Sequence, residues 1–541
     1  MTQDTPAFFT LDRGTVSTTA ALIAPVDGRY RMVAAASAPV GIDPSSVLED
    51  LAWRGARTDA SVAGSMEAWR EWSRLEVFSG PPPRAVLVAA SSEAGEQLER
   101  AFTGAGWSIS ARFYGTKPDI VGLGEACLDP DAHAVIMGGR EGAAEDEQVA
   151  AQQLWPRVAS LSRFRDDLAV IACGPFVDRP EGIPDGRLFA LPAPERVAAT
   201  SESTLRTAAL QVGRFLADHG ATPGIDARTA LRASLASLAN ILGATVDGIE
   251  IGAASGSRTL AGPAAEQAHG VFATAGMLPH ELLDGEEIGD AVLRWCTLGG
   301  GDPAARLDGL RDIALHPWAS SGTDGARLRL ALVRGALERL ETVWGGEDAE
   351  STDHRGASVL ALSGGAFSGL PPAAVALAIV DGVRRSGAVS LLHDHAGVLA
   401  PLGALPVEAD RQRLLNDLMG DCLLPLGSAI ATGTMPQRKK GKTPAAMSIS
   451  SALGDQRLRL DPGELQLVDL PPGVSARIGI DPGEGSVLGS EGGPITMEVS
   501  GGLGGLIVDT RPIPLELPDG GEARRSAIEA WEAPVWAASD R

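Results

Sequence analysis

Three short stretches of this 541-residue chain carry residue types that could do chemistry together. The first is Phe8-Phe9-Thr10-Leu11-Asp12-Arg13-Gly14-Thr15-Val16-Ser17-Thr18-Thr19, where an apolar run ends in an acid and glycine and hydroxyl residues follow. It reads as a β-turn-β phosphate loop: Gly14 admits close approach of backbone to an anion, and successive N–H groups form a nest for it. Thr15, Ser17 and Thr18 would add hydrogen bonds, and Asp12 would hold a hydrated Mg²⁺ through water. The alternative is an ordinary glycine-containing hairpin. The second stretch, Val246-Asp247-Gly248-Ile249-Glu250-Ile251-Gly252-Ala253-Ala254-Ser255-Gly256-Ser257, repeats the grammar with Glu250 for Asp12 and Gly252 in the turn. On a slightly different spacing it sets Ser255 and Ser257 where Thr15 and Ser17 stand. Two such hairpins would clamp a phosphate chain and its metal from opposite sides, and the paired carboxylates would orient an attacking water. The third stretch is Val359-Leu360-Ala361-Leu362-Ser363-Gly364-Gly365. There a buried strand runs into Gly-Gly, whose bare backbone lets a flat base or ribose lie against it.

Other motifs are weaker. His393-Asp394-His395 has an H-x-H spacing, but no third ligand stands nearby in sequence, which argues against a metal site. No G-x-S-x-G hydrolase elbow occurs. Met137-Gly138-Gly139-Arg140-Glu141-Gly142 is a strand-to-helix loop of the kind that binds ligands in α/β sheets, though a tight turn explains it as well. The cluster Arg438-Lys439-Lys440-Gly441-Lys442 reads first as a solvated loop.

Composition narrows the function classes. A net charge of −23 argues against nucleic acid and against an acidic membrane surface, both of which need basic footprints. The dominance of arginine over lysine, with abundant alanine and glycine, suggests a GC-rich bacterial genome. Four cysteines without C-x-x-C spacing fit a reducing compartment. With no basic leader and no 18-residue uncharged apolar run, the expectation is a cytoplasmic protein.

The elements that must position these loops follow from periodicity. After the opening hairpin comes an irregular stretch with turn signals at 55–60 and a helical segment over 66–75. Ala85–Ala90, Ala134–Met137 and Leu168–Ala172 are short continuous apolar runs separated by helical stretches, the signature of a parallel β-α-β layer covered on both faces. Helices are expected over 202–219, 227–242, 286–295, 326–344 and 371–383. From about Asp410, strands at 464–470, 475–480, 495–499, 506–509 and 514–517 suggest an antiparallel β-domain. The expected division is 1–83, an inserted α/β unit over 84–200, a second lobe over 201–408, and a β-rich C-terminal domain over 409–541.

In order along residues 8–405, these three loops resemble the two phosphate loops and the adenosine loop of the actin/Hsp70/hexokinase (ASKHA) ATPase superfamily. More narrowly, the chain resembles the glutamate mutase L (GlmL/MutL) family of accessory proteins to B12-dependent mutases. Asp12-Arg13-Gly14-Thr15-Val16-Ser17-Thr18-Thr19 stands against Asp-x-Gly-Ser-Thr-x-Thr-Lys, and Ile249–Ser257 against Val-Asp-x-Gly-Gly-Ala-Thr-Thr-Asp. The stretch from Leu362-Ser363-Gly364-Gly365 through Leu377–Asp381 to Pro401-Leu402-Gly403-Ala404-Leu405 matches best. The resemblance implies a two-lobed, ribonuclease H-like α/β fold with an inserted parallel α/β unit and a C-terminal antiparallel β-domain. It implies ATP and Mg²⁺, with Asp12 and Glu250 managing metal and water, Gly14, Thr15, Ser17, Thr18, Gly252, Ser255 and Ser257 the phosphates, and Ser363, Gly364 and Gly365 the adenosine. It also implies a protein partner, a B12-dependent mutase or a related protein, and leaves the oligomeric state open. Thr19 stands where the family has lysine, Glu250 and Ser257 where it has Asp, and Ala253 where it has Gly. Hydrolysis that depends on positioning would be slow or lost with these changes. A non-catalytic scaffold on the same fold is the main rival, and a small-molecule kinase a third class.

Overall fold

The computed structural model describes residues 7–539 apart from 80–82, 104, 106, 116–118, 140–144, 175–182, 184–185, 195–203, 219–224, 264–268, 274–275, 279–289, 298–301, 318, 320–321, 346–356, 384, 434–444, 482–485, 488–489 and 492–493. The Arg438–Lys442 cluster, Arg140-Glu141-Gly142 and the first four residues of the helix expected at 286–295 lie outside the described residues; of the rest, Asp290–Leu293 is helical.

The first sheet begins with an antiparallel meander, β1 (Phe8–Arg13), β2 (Ser17–Val26) and β3 (Arg29–Pro39). Helix α1 (Pro44–Thr58) packs on it, and Gly55 has no room for a Cβ because the Leu22 side chain occupies that space. The turn expected at 55–60 is therefore the end of this helix. Strand β4 (Arg74–Phe78), whose first two residues fall in the helical segment expected over 66–75, runs parallel to β1.

The chain then leaves the sheet to build a five-stranded parallel layer from β5 (Arg84–Ala89), β6 (Ser108–Tyr114), β7 (Ala134–Gly138), β8 (Ala169–Cys173) and β9 (Leu188–Leu191), in the order β6-β5-β7-β8-β9. Alternate residues of its central strands enter two separate cores: Ala85, Leu87 and Ala89 face one, Val86 and Val88 the other. That explains why these strands are apolar throughout. Strand β10 (Ile225–Asp226) returns to the first sheet beside β4, giving the order β10-β4-β1-β2-β3.

Helix α2 (Ala227–Leu242) crosses to a second sheet of the same plan. Strands β11 (Val246–Ile251), β12 (Gly256–Ala261) and β13 (His269–Ala273) form the meander, and β14 (Val359–Ser363) and β15 (Gly387–Asp394) follow in parallel on the far side of β11. Helices α3 (Thr323–Gly345) and α4 (Pro372–Gly382) cover this lobe. Ala373 through Asp381 of α4 are all buried, which fits an element enclosed on every side. In the short helix α5 (Leu399–Gly403), a Cβ on Gly403 would fall inside the Ala230 carbonyl of α2, so the glycine of the Leu-Gly-Ala-Leu motif sets a close helix crossing. Helix α6 (Glu408–Cys422) then returns to the first lobe, where Asp421 accepts from Arg31 and from the Met32 amide, and Asp417 from the Tyr30 amide.

The C-terminal strands divide in a way the sequence did not indicate. Strand β16 (Leu423–Ala431) pairs with β15; β17 (Ala446–Ser451) and β18 (Gly454–Arg459) follow it along the chain, then β19 (Leu465–Val468), β20 (Ser475–Asp481), the short pair β21 (Ser486–Val487) and β22 (Ser490–Glu491), β23 (Ile495–Ser500) and β24 (Leu506–Asp509). Strands β19 and β24, expected in a β-domain of their own, extend the second lobe's sheet through β16 to eight strands. The additional antiparallel sheet is β18-β17-β20-β23. Residues 514–517 form no strand, and the terminal helix α7 (Gly521–Ser539) packs its Ile528, Val535 and Trp536 into the second lobe's core. Among the described residues no helix is long and apolar enough to cross a membrane.

Candidate functional site

The two acidic hairpins are the same structure built twice. In the first, Asp12 pairs across the strands with Thr19, and the Gly14 amide donates to the Ser17 carbonyl at 2.9 Å. In the second, Glu250 pairs with Ser257, and the Gly252 amide donates to the Ser255 carbonyl at 2.8 Å. The spacing is identical, so Ser255 corresponds to Ser17 and Ser257 to Thr19, which corrects the offset alignment drawn from sequence. Neither glycine uses a left-handed backbone. Each is needed because a Cβ would crowd the turn, 2.9 Å from the Ser17 oxygen at Gly14 and 3.2 Å from the Ser255 oxygen at Gly252. Thr18 pairs with Arg13 and is buried; strand alternation sets it on the opposite face from Asp12, so it is not among the groups around that acid. Thr15 is half-buried at the turn.

The third loop meets both hairpins. Gly364 has φ +97°, and a Cβ there would collide with the Ile251 backbone, so this glycine presses the loop onto β11. At Gly365 the nearest atom to a would-be Cβ is Ser17 Oγ at 4.0 Å, which brings the first hairpin up to the same loop. The Ser363 hydroxyl, expected at an adenosine, donates instead to Asp394 Oδ2 at 3.0 Å.

Around Asp12 a buried Asp394 and half-buried acids crowd together. The Asp12 Oδ1 is sealed from solvent and has no hydrogen-bond partner among the described residues. Burial, then the charges of Glu250, Asp394 and Asp226, push its carboxyl up to about 8. Glu250 is pushed up to about 7 by burial, against the opposing pull of Arg228 and of the Ser257 hydroxyl, which donates to its Oε2 at 3.0 Å. Asp394 and Asp226 were not picked out as site residues from sequence. Asp394, raised by burial, accepts from the Val398 and Leu399 amides at 2.9 and 3.0 Å. Asp226 caps α2 by accepting from the Thr229 amide at 2.9 Å. The signal for Asp226 was an acid three residues before a threonine at a helix start.

Among the described residues cations are few here, and Arg228, whose charge acts on Glu250, is paired with Asp226 at 3.1 Å. Arg13 is committed to Glu76 at 2.5 Å and lies over the Phe78 ring. Position 19, which could have supplied a lysine, holds Thr19 against Gly397. His393 stacks edge-on to Phe367 and burial pushes its ring down to about 4, while His395 Nδ1 lies 3.0 Å from the Cys422 carbonyl oxygen. Among the described residues no three His, Cys, Asp or Glu side chains converge as a metal-binding group.

No protein-family model matches the chain, and no curated protein matches it. Among solved structures it is similar to an activator of the 2-hydroxyisocaproyl-CoA dehydratase from Clostridium difficile with bound ADPNP, at 9% identity over 76% of this chain and 98% of that one, TM-score 0.26. It is similar to a ligand-bound xylulose kinase from Lactobacillus acidophilus, at 9% identity over 76% and 92%, TM-score 0.25. It is similar also to a ROK hexokinase from Thermus thermophilus, at 12% identity over 75% and 99%, TM-score 0.23. The fold assignment stands on the strand order itself. Two meanders, each continued by two parallel strands beyond its first strand, make a two-lobed ribonuclease H-like fold of the ASKHA kind.

Proposed function

We propose that this chain is a nucleotide-binding accessory protein, a chaperone or reactivating factor of the glutamate mutase L type acting on a B12-dependent mutase or a related protein. One observation carries the reading: Asp12, with a sealed and unpartnered carboxylate oxygen, stands beside Glu250 where two identical hairpins come together. A buried oxygen without a partner is costly to maintain unless something else completes it. A hydrated Mg²⁺ fits that need, with Asp12 and Glu250 as its holders; it would supply positive charge toward phosphate beside position 19, where this chain has Thr19. The Gly14, Thr15, Ser17, Gly252, Ser255 and Ser257 turns would face the phosphates, and Gly364 and Gly365 the nucleoside. Closure of the lobes on nucleotide would then alter affinity for the protein partner.

A second reading, a scaffold that has lost nucleotide chemistry, draws support from Ser363, whose hydroxyl is already engaged by Asp394. Titration calorimetry with Mg·ATP on the wild type beside Asp12→Ala separates the two. Micromolar binding abolished by Asp12→Ala supports the nucleotide reading, and hydrolysis that rises on adding a mutase supports the chaperone role. No binding and no thermal stabilisation at millimolar Mg·ATP would leave the scaffold.

A further inference from the structure

The sheet β18-β17-β20-β23 ends at β18 (Gly454–Arg459), and no described strand pairs with the outer edge of that strand. The register says which of its backbone groups point outward. The Leu460 amide donates to the Ala445 carbonyl at 3.0 Å, and the pairing continues with Arg459 opposite Ala446, Arg457 opposite Ser448 and Asp455 opposite Ser450. In an antiparallel ladder bonded and unbonded pairs alternate, so these three pairs exchange no bonds. The N–H and C=O groups of Asp455, Arg457 and Arg459 therefore face away from β17. The Arg459 carbonyl accepts from Gln466 Nε2 at 2.9 Å; those of Asp455 and Arg457 have no such partner among the described residues.

The same three residues carry exposed side chains on the solvent face. Ser450 Oγ donates to Asp455 Oδ1 at 2.6 Å and steadies that carboxylate there. Arg459 is held by Asp461 at 2.6 Å, whereas Arg457 has no acidic partner among the described residues. An open edge is a template for another strand, and the order of charges selects the strand. Laid antiparallel on a second copy with Gln456 facing itself, β18 sets Asp455 opposite Arg457 at both ends. A slide of two residues sets Arg457 against Arg457, or Asp455 against Asp455. A slide of one residue turns the open backbone groups away from each other. In the favoured register Leu458, half-buried on the inner face, comes opposite Gly454, which has no side chain to obstruct it.

We infer that β18 pairs with β18 of a second copy across a two-fold axis, joining two four-stranded sheets into one of eight. Each Asp455–Arg457 pair exchanges two backbone hydrogen bonds and adds a cross-strand ion pair. Leu453 in the adjoining turn, 59% exposed, comes alongside the aliphatic stem of Arg459 of the second copy. Neither acidic hairpin takes part, and the pairing does not depend on the nucleotide reading.

The test is sedimentation of the full-length protein from roughly 1 to 300 µM. A reversible monomer–dimer equilibrium is expected. Arg457→Asp and Asp455→Arg each turn both ion pairs into like-charge contacts and should weaken the dimer about tenfold or more. An equal mixture of the two variants restores every pair and should recover a dimer of about wild-type strength. Arg457→Pro removes an outward N–H that β17 does not use, a change an edge strand tolerates, and should abolish association. Unchanged melting temperatures verify that the variants fold. A chain that is monomeric throughout, which is also what pairing with a strand of a different protein would give, overturns the inference. So does a dimer indifferent to the single reversals, or a mixture that fails to recover it.

Discussion

The two hairpins share one backbone and differ in how their acids are kept. Glu250 has the Ser257 hydroxyl on one oxygen and Arg228 nearby, and the loop above it is pressed onto its strand by Gly364. Asp12 has Thr19 opposite, yet its Oδ1 has no partner, and the third loop approaches it only as far as Ser17. One hairpin is settled within its own lobe; the other carries an unmet electrostatic need. A duplicated fold can thus hold one copy of a motif as structure and leave the other open to a ligand.

The sharpest way to break the comparison is at the third loop. Gly364→Ala forces a Cβ into the Ile251 backbone at a left-handed position and should cost about 3 kcal/mol. Gly365→Ala, facing Ser17 across 4.0 Å, should leave the urea midpoint nearly unchanged. Equal losses in the two variants would mean that the first hairpin is gripped as tightly as the second.

Next in size is Asp12→Asn. The native Asp12 keeps a proton up to about pH 8 that the unfolded chain releases near 3.8, so the folded state binds more protons in that window. Stability from this group therefore falls as pH rises between those limits and is level above them. Urea unfolding from pH 5 to 9 should show a shallower decline in Asp12→Asn, which should be more stable than wild type by about 2 kcal/mol at pH 8. Glu250→Gln should change the slope less, because its window closes at about 7 and its neighbours already offset part of the burial. An unaltered slope in Asp12→Asn would show that Asp12 is ionised in the folded protein.

Thr19→Lys places a cation across the strand pair from Asp12 and should reduce that pH slope by about 1 kcal/mol over the same range. If nucleotide binds, it should also tighten Mg·ATP several-fold in calorimetry. Smallest of all, Ser257→Ala removes one hydrogen bond to Glu250 and should cost roughly 0.5–1 kcal/mol, whereas Thr19→Ala should cost less. A larger loss at Thr19 would reverse the assignment of which hairpin is the settled one.

What could be read from sequence was what is local. Asp12-Arg13-Gly14 and Glu250-Ile251-Gly252 announce their hairpins because turn and strands lie within a dozen residues, and the continuous apolar runs of β5, β7 and β8 announce a doubly covered sheet. Strand β4 was missed because its Arg74, Leu75, Glu76, Val77 and Phe78 follow a helical run, and its identity depends on pairing with β1. The placement of β19 and β24 was illegible for the same reason: their partners are β16 and each other, far from any turn that links them. Asp394 hid in an H-x-H motif that drew attention to its histidines, though its own oxygens organise the start of α5 and the Ser363 loop. Gly364 also meets a packing need that its Gly-Gly motif did not reveal, since a Cβ there would collide with the Ile251 backbone. Close approaches between distant segments leave no trace in spacing.

The long excursion between β4 and β10 leaves and re-enters the first sheet at neighbouring points, since Val77 pairs with Ile225 and Phe78 with Asp226 in parallel register. Strands so paired lie about 4.8 Å apart, so exit and entrance are almost one place. The cost of closing a loop rises only with the logarithm of its length, and a layer with two cores of its own does not tax the sheet that hosts it. The insertion is thereby a replaceable cassette: lineages could lengthen or exchange it for another crossover connection between Phe78 and Ile225, which a parallel pair requires, leaving the two acidic hairpins undisturbed.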